Sequence, residues 1–215
     1  SVVSDGIEYL VALETIKELP FCNLIKFKIT RRKKIDRKVL IIAPMSGHYA
    51  TLTRNTVISL LPNCDVYVTD WKNARDVPFS AGKFDIEDFT KYLVDFFRNL
   101  SPDLNVMAVC QPAPLALAAA AITSERFPEF NPKSLTLIGG PIDPDANPTD
   151  VTDFGHRTSM EALESTVTMP VGLNYKGVGR EVYPGAIQLA SFMAMNQEAH
   201  SKAFIDQIEK EAAGQ

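Results

Sequence analysis

A chain of 215 residues, with 46% hydrophobic and 22% charged residues, is long enough to bury one substantial core. We therefore expect one domain, or one domain with an appendage. The formal net charge of −4 gives no general attraction to phosphate backbones or anionic lipids, which argues against nucleic acid as a partner. The first ten residues lack the pattern of a signal peptide, and the longest apolar run, residues 113–122, is too short to cross a bilayer. The sequence thus predicts a cytoplasmic protein without a transmembrane segment.

The three cysteines, Cys22, Cys64 and Cys110, are an odd number and lack the spacing of metal ligands. This pattern argues against a disulfide framework and against a zinc site. We expect no metal and no cofactor, and we interpret Cys22 and Cys64 as structural thiols.

The first predicted element in chain order is a strand over residues 22–29, where partial alternation indicates the exposed edge of a sheet. A basic cluster follows at residues 31–34. Between two predicted strands such a cluster is far more often a solvated turn than a nucleic-acid patch, and we interpret it as a turn.

Four short apolar runs predict strands that are buried on both faces of a parallel sheet. They cover residues 39–43, 65–69, 106–109 and 135–138, and helical patterns between them cover residues 51–61, 86–100 and 112–126. Strands that alternate with helices imply crossover connections, so we predict an α/β fold in which these four strands pair side by side and parallel.

The character of the sequence changes after Gly139 and Gly140 to a loop rich in Pro, Asp and Asn. Helical patterns return at residues 186–198 and 204–213, and no further buried strand is predicted. The predicted organisation is a core domain over residues 1–150, with a nucleophile turn at residues 106–114, and a connecting segment with the first cap helices over residues 151–215.

The most informative position is Cys110, where a predicted buried strand stops and a helix starts at once with Pro112. Proline is favourable in the first helical turn, so Cys110 is predicted to lie on a tight turn from strand to helix. That is the geometry of a nucleophile elbow, and the positive end of the helix favours a thiolate there. The usual elbow reads G-x-S-x-G, whereas Ala108 and Pro112 stand at the glycine positions here. By spacing alone, a cysteine after an apolar strand is more often a buried structural thiol.

Nucleophilic acyl transfer also needs N–H donors for the oxyanion. Gln111, directly after the cysteine, would supply one backbone N–H. The loop after the first buried strand contains a glycine and would supply the other from Met45, or alternatively from Ser46. The competing interpretation is a plain turn between a strand and a helix.

Several polar residues are predicted to lie near the mouth of this site. His48 lies on the oxyanion loop and is predicted to shape it. With Ser46 of the same loop, and with Asp70 and Trp71, which close the second buried strand, it is a candidate for the substrate rim. A turn-forming aspartate and an anchoring aromatic explain Asp70 and Trp71 at least as well. Asp143 and Asp145 could supply a triad acid, although in so Pro-rich a loop they are more often turn residues.

Several long blocks of the sequence resemble the intracellular polyhydroxyalkanoate (polyhydroxybutyrate) depolymerases. They are LPFCNLIKFK, LIIAPMSGHYATLTRNTV, DVYVTDWKNARDVP, VMAVCQPAP, LIGGPIDPDANPT and NYKGVGREVYPGAIQLASFMAMNQEAH, which together extend from about Leu19 to His200. The resemblance implies an α/β-hydrolase fold, a cysteine nucleophile at Cys110, and hydrolysis of 3-hydroxyacyl ester bonds in stored polymer granules. It also implies that the polymer or its 3-hydroxyacyl oligomers are the partner, with the protein in the cytoplasm and associated with granules.

The family continues past the position of residue 215 and has its catalytic Asp and His there. The resemblance therefore implies that the chain is truncated before the last strands of the sheet and is inactive by itself. His156 and His200 fall in blocks that are not catalytic in the family. Two alternatives stay open: an acyltransferase like the polyhydroxyalkanoate synthases, which also use a cysteine elbow, and a non-catalytic fragment that binds granules.

Overall fold

The computed structural model of the chain describes residues 2–4, 7–29, 36–45 and 53–195. Its centre is a six-stranded sheet with the order β3-β4-β6-β5-β7-β8. These strands are β3 (Val11–Glu18), β4 (Cys22–Ile29), β5 (Lys38–Ile42), β6 (Asp65–Trp71), β7 (Leu104–Val109) and β8 (Ser134–Ile138). Before them, β1 (Val2–Ser4) and β2 (Ile7–Tyr9) form a separate antiparallel pair.

The four strands predicted to be parallel are confirmed as neighbours. Strand β5 pairs in parallel with β6 on one side and with β7 on the other, and β7 pairs in parallel with β8. Their connections contain α1 (Arg54–Leu60), α2 (Ile86–Leu100) and α3 (Ala113–Arg126). The strand order and directions, with an antiparallel strand beside β6, are those of the α/β-hydrolase fold.

Two of the predictions about strand environment are wrong. Strand β4 is not at an edge, because β3 pairs with it antiparallel on the side away from β6. Strand β8 is not buried on both faces: its residues alternate between exposed and half-buried, and β7 is its one partner among the described strands. Half of β8 packs on the core through Leu135 and Leu137, while Ile138 points away from it and is 44% exposed.

The core lies on both faces of the sheet. On one face α2 and α3 pack against β5, β6 and β7, and α2 contributes the fully buried Leu93, Phe96 and Phe97. Burying each side chain of this size stabilises the fold by about 1.5–3 kcal/mol. On the other face a smaller cluster joins α1 to the sheet through Val57 and Leu61.

Helix α2 begins where its sequence predicts. The Asp85 side chain accepts the N–H groups of Glu87 and Asp88, and the Asp88 side chain accepts the N–H of Asp85. This reciprocal cap satisfies N–H groups that have no partner within the helix. With the core-facing side chains at helical spacing, the cap fixes the helix at residues 86–100, as predicted.

The segment after β8 contains α4 (Asp150–Arg157), α5 (Met160–Val167), α6 (Gly185–Met195) and a short antiparallel pair of β9 (Met169–Pro170) and β10 (Glu181–Val182). Helix α6 overlaps the helix predicted over residues 186–198, whereas the helix predicted over 204–213 lies outside the described residues. The division at residue 150 stays a prediction. None of the helices that the structure describes is both long and apolar enough to cross a membrane.

Candidate active site

Cys110 lies on a sharp turn between β7 and α3, where the sequence predicts it. Its φ of +67° is in the left-handed region, which residues with a side chain seldom adopt. Such strain concentrates at functional sites, and a strained strand-to-helix turn is the defining feature of a nucleophile elbow. The thiol is exposed, and the first turn of a fourteen-residue helix begins three residues later at Ala113.

Backbone contacts and close packing hold this turn. The Cys110 N–H donates to the Ile138 carbonyl at 2.7 Å, and the Ala113 N–H donates to the Cys110 carbonyl at 3.0 Å. Gly140 lies so close that a Cβ on it would be 2.1 Å from the Cβ of Ala113 and 2.7 Å from the Cys110 carbonyl oxygen. Glycine at position 140 and a small side chain at position 113 are therefore required by the space beside the elbow.

The other two thiols are in a different environment. Cys22 and Cys64 are both buried, and burial raises the pKa of the Cys22 thiol well above its usual range. A protonated thiol inside the core is a poor nucleophile. Cys110 is thus the one cysteine of the three that combines exposure with a position at a helix N-terminus.

The loop after β5 meets the elbow at Met45. The Met45 N–H donates to the side-chain Oε1 of Gln111 at 3.2 Å, so the two residues with proposed oxyanion donors are brought together. The role of the Gln111 side chain was not predicted from the sequence, which indicated the Gln111 backbone N–H alone. Ser46 and His48 lie outside the described residues.

Strand β6 fixes the start of the same loop. The indole N–H of Trp71 donates to the Ala43 carbonyl at 2.8 Å, and the Ala43 N–H donates to the Thr69 hydroxyl at 2.9 Å. Trp71 is itself buried and stacks on Phe89 with ring centroids 4.2 Å apart. The end of β6 therefore holds the backbone that leads to Met45.

Asp70, the neighbour of Trp71, is half-buried at the same edge of the sheet. Burial raises the pKa of its carboxyl, while a hydrogen bond from the Asn23 side chain and the charge of Lys72 oppose that shift. A carboxyl group of this kind can accept a hydrogen bond at the rim of a site, but Asp70 forms no hydrogen bond with Cys110.

The described histidine does not reach the elbow either. His156 Nε2 lies 2.7 Å from Asp145 Oδ1, and both side chains are exposed. Asp143 accepts the N–H groups of Asp145 and Ala146, which is the behaviour of a turn residue. Within the part of the chain that the structure describes, no imidazole or carboxylate hydrogen-bonds to the Cys110 thiol. His48 and His200 lie outside it. The residues that the structure describes contain no group of three potential metal ligands.

Comparison with solved structures finds similar chains of low identity. The Francisella virulence factor BioJ is 15% identical, with a TM-score of 0.45 over 62% of this chain and 45% of its own. Cfl2 from Burkholderia cenocepacia is 15% identical, with a TM-score of 0.46 over 74% of this chain and 54% of its own. Carboxyl esterase 2 from Tuber melanosporum is 15% identical, with a TM-score of 0.42 over 76% of this chain and 56% of its own. The chain thus spans about half the length of these structures.

A family model supplies the remaining finding. No curated protein is similar to the chain at a significant level. The model described as PHB de-polymerase C-terminus matches residues 139–215, which include Gly140 of the elbow and everything after it. Over those residues the chain is similar to the C-terminal part of that family, while the strand order of its sheet is that of the α/β-hydrolase fold.

Proposed function

We propose that the protein hydrolyses 3-hydroxyacyl ester bonds of intracellular polyhydroxybutyrate, with Cys110 as the nucleophile. The observation that supports this most strongly is the exposed thiol on a left-handed turn at a helix N-terminus. The family match over residues 139–215 supports the polyester as substrate. In this proposal the protein acts in the cytoplasm, at the polymer granule.

The reaction has two steps. The Cys110 thiolate attacks the ester carbonyl and forms a C–S bond, the C–O bond breaks, and the alcohol end of the polymer leaves with a proton. Water then hydrolyses the thioester, which releases the hydroxyacyl product as an acid and restores the thiol. A general acid and base assist both steps, typically by about 100- to 10,000-fold. The family resemblance implies an Asp and a His for this role, outside the described residues.

The backbone N–H groups of Gln111 and Met45 would stabilise the oxyanion, with Ser46 as the alternative to Met45. Because Gln111 Oε1 accepts the Met45 N–H, the substrate carbonyl has to displace that side chain before the oxyanion can form. Asp70, Ser46 and His48 would form the substrate rim, and the buried Trp71 would support it. Trp71 acts there through the Ala43 carbonyl, which it holds.

Steady-state hydrolysis of soluble 3-hydroxybutyrate oligomers by the product of the complete reading frame tests the proposal. The Cys110→Ala variant should lose about 1,000-fold or more in kcat, because the covalent pathway is removed. Release of free acid without coenzyme A would separate hydrolysis from the synthase-like alternative. Full activity in Cys110→Ala would contradict the proposal, and oligomer binding with no turnover in either form would favour the non-catalytic alternative.

The oxyanion assignment is tested at Met45. Met45→Pro removes the N–H and should lower kcat by about 100- to 1,000-fold with little change in KM. Met45→Ala is the matched control, since it retains the backbone donor and should keep most of the activity. If Met45→Pro is active, Ser46 becomes the donor to test by the same substitution.

A further inference from the structure

A buried arginine joins two distant segments of the chain beside the carboxyl end of β6. Arg180 directly precedes β10, is 8% exposed, and donates through its guanidinium to three backbone carbonyl groups of the segment that follows β6. These are the carbonyls of Val77, Pro78 and Gly82, at 3.3, 2.7 and 2.6 Å. Because a charged donor satisfies three groups that would otherwise be left unpaired, the two segments are firmly held together.

The same guanidinium covers an aromatic cluster, which we define as Phe21, Phe84, Trp71 and Phe89. The Arg180 Cζ lies 4.9 Å from the centre of the Phe21 ring, a cation–π contact. Phe21 stacks on Phe84 with ring centroids 4.6 Å apart, and Phe84 lies 6.0 Å from Trp71. Trp71 in turn stacks on Phe89 at 4.2 Å. Arg180 is therefore linked to Trp71 through neighbouring rings.

Trp71 connects the aromatic cluster to the start of the oxyanion loop, residues 43–45. Its indole N–H donates to the Ala43 carbonyl at 2.8 Å. Two residues later, the N–H of Met45 is the proposed oxyanion donor and meets Gln111 beside the nucleophile. Oxyanion donors are effective only when they are held where the charge develops, so a small displacement of this backbone would weaken them.

The nucleophile lies at the same edge of the sheet but is held by different contacts. Strands β6 and β7 both run parallel to β5, so their carboxyl ends lie at one edge. The Cys110 turn is fixed by the Ile138 carbonyl and by the close packing of Gly140. A change at Arg180 should therefore reach the oxyanion loop and leave the nucleophile turn in place.

We propose that Arg180 is a positioning residue for ester hydrolysis and holds residues 43–45 in place through the aromatic cluster. This inference rests on the proposed function. It gives a residue from the segment after β8 a part in an oxyanion hole whose donors come from the loops after β5 and β7. Because those donors act on charge that forms in the transition state, their displacement lowers kcat and leaves KM nearly unchanged.

Steady-state hydrolysis of soluble 3-hydroxybutyrate oligomers tests the inference, with the product of the complete reading frame and at temperatures where circular dichroism shows each variant to be folded. Arg180→Met should lower kcat about tenfold and keep KM within about twofold. Arg98→Met is the matched control, because the Arg98 guanidinium also lies over an aromatic ring, Phe127, at 4.5 Å. Arg98 is in the last turn of α2, which ends just before β7 begins and so lies at the opposite edge of the sheet. The control should keep both constants within about twofold.

A double-mutant cycle with Trp71 separates positioning from a purely structural role. Trp71→Phe retains an aromatic ring but removes the indole N–H, and it should also lower kcat about tenfold. In the Trp71→Phe background, Arg180→Met should lower kcat by less than about twofold further, because the hydrogen bond through which it acts is already lost. Where Arg180→Met does not fold, Arg180→Lys replaces it in the cycle, since lysine keeps the charge but lacks the planar set of donors.

Two kinetic outcomes would overturn the inference. One is an unchanged kcat in either single variant, and the other is a loss in the double variant that equals the product of the two single losses, because the residues would then act independently. Failure of the proposed function would be recognised separately, by oligomer turnover that persists in Cys110→Ala.

The emission of Trp71, the one tryptophan of the sequence, provides a measurement that needs no substrate. Arg180→Met should shift this emission to longer wavelength and increase its quenching by acrylamide, because the aromatic cluster loses its cover. Arg98→Met should do neither. Emission and quenching that stay unchanged in Arg180→Met would overturn the inference, whatever the substrate of the protein.

Discussion

The Cys110 turn and the Arg180 contact lie at the same edge of the sheet, but they are held in place in different ways. The turn depends on small residues, because Gly140, Ala113 and the Cys110 backbone fill the available space. The Arg180 contact depends on one long side chain that satisfies three carbonyl groups. The first region should therefore lose stability when an atom is added, and the second should lose stability when a hydrogen-bond donor is removed.

The largest effect is expected from Gly140→Ala. The added Cβ would have to displace Ala113 or the Cys110 carbonyl, so we expect a loss of at least about 3 kcal/mol in the free energy of unfolding, and a loss of activity where the chain still folds. Urea denaturation and ester hydrolysis measure the two effects. Gly155→Ala is the matched control, because a Cβ at Gly155 in α4 meets nothing within 4 Å. That variant should be neutral or stabilised by about 0.4–1 kcal/mol.

Arg180→Met should have the next largest effect. It keeps much of the side-chain volume but leaves three carbonyl groups without their charged donor, which should cost about 2–3 kcal/mol in the free energy of unfolding. Arg157→Met is the control, because Arg157 is exposed and its pair with Asp153 is an i,i+4 surface ion pair. That control should stay within about 0.5 kcal/mol of the parent. Equal effects of the two substitutions would remove the contrast between a buried and an exposed arginine.

The smallest effect is expected from a substitution of Asp70, near the end of β6. Because burial raises the pKa of its carboxyl in the folded state, the folded chain binds the proton more tightly than the unfolded chain does. The contribution of Asp70 to stability is therefore fully present below the unfolded pKa and is lost as the pH rises through the folded pKa. Asp70→Asn should make the protein more stable at neutral pH and relatively less so in acid. Thermal denaturation of the variant and the parent at several pH values measures this effect. A variant whose melting temperature at neutral pH is no higher than that of the parent would contradict the expected sign.

Much of the fold could be predicted where local pattern and tertiary structure agree. The apolar runs of β5, β6 and β7 and the capped, periodic sequence of α2 each specify their element without help from distant residues. Strand β3 was missed because its register shifts between Thr15 and Lys17, so the sequence lacks the regular alternation of a half-buried strand. Without β3, the next strand was wrongly assigned to the edge.

In the candidate site, too, local features could be predicted, whereas contacts between distant segments could not. Strand, cysteine and proline in succession predict a tight turn at Cys110, and the carboxyl ends of parallel strands predict that the Met45 loop lies beside it. The left-handed φ of Cys110, the close contact with Gly140 and the bond from Met45 to the Gln111 side chain depend on how separate segments pack. Arg180 bonds to a carbonyl 103 residues away, which no local pattern indicates. The double glycine after β8 is the one sequence signal that could have pointed to the tight packing at the elbow.

Formation of a covalent acyl intermediate on Cys110 is tested most directly by mass spectrometry after rapid acid quenching. Protein mixed with a short activated 3-hydroxybutyrate ester should carry one hydroxybutyryl group on the peptide that contains Cys110, and hydroxylamine should remove it as expected for a thioester. Cys22 and Cys64 are buried and should remain unmodified. An acyl group on another residue, or turnover of the ester with Cys110 blocked by iodoacetamide, would contradict the role of Cys110 as the nucleophile.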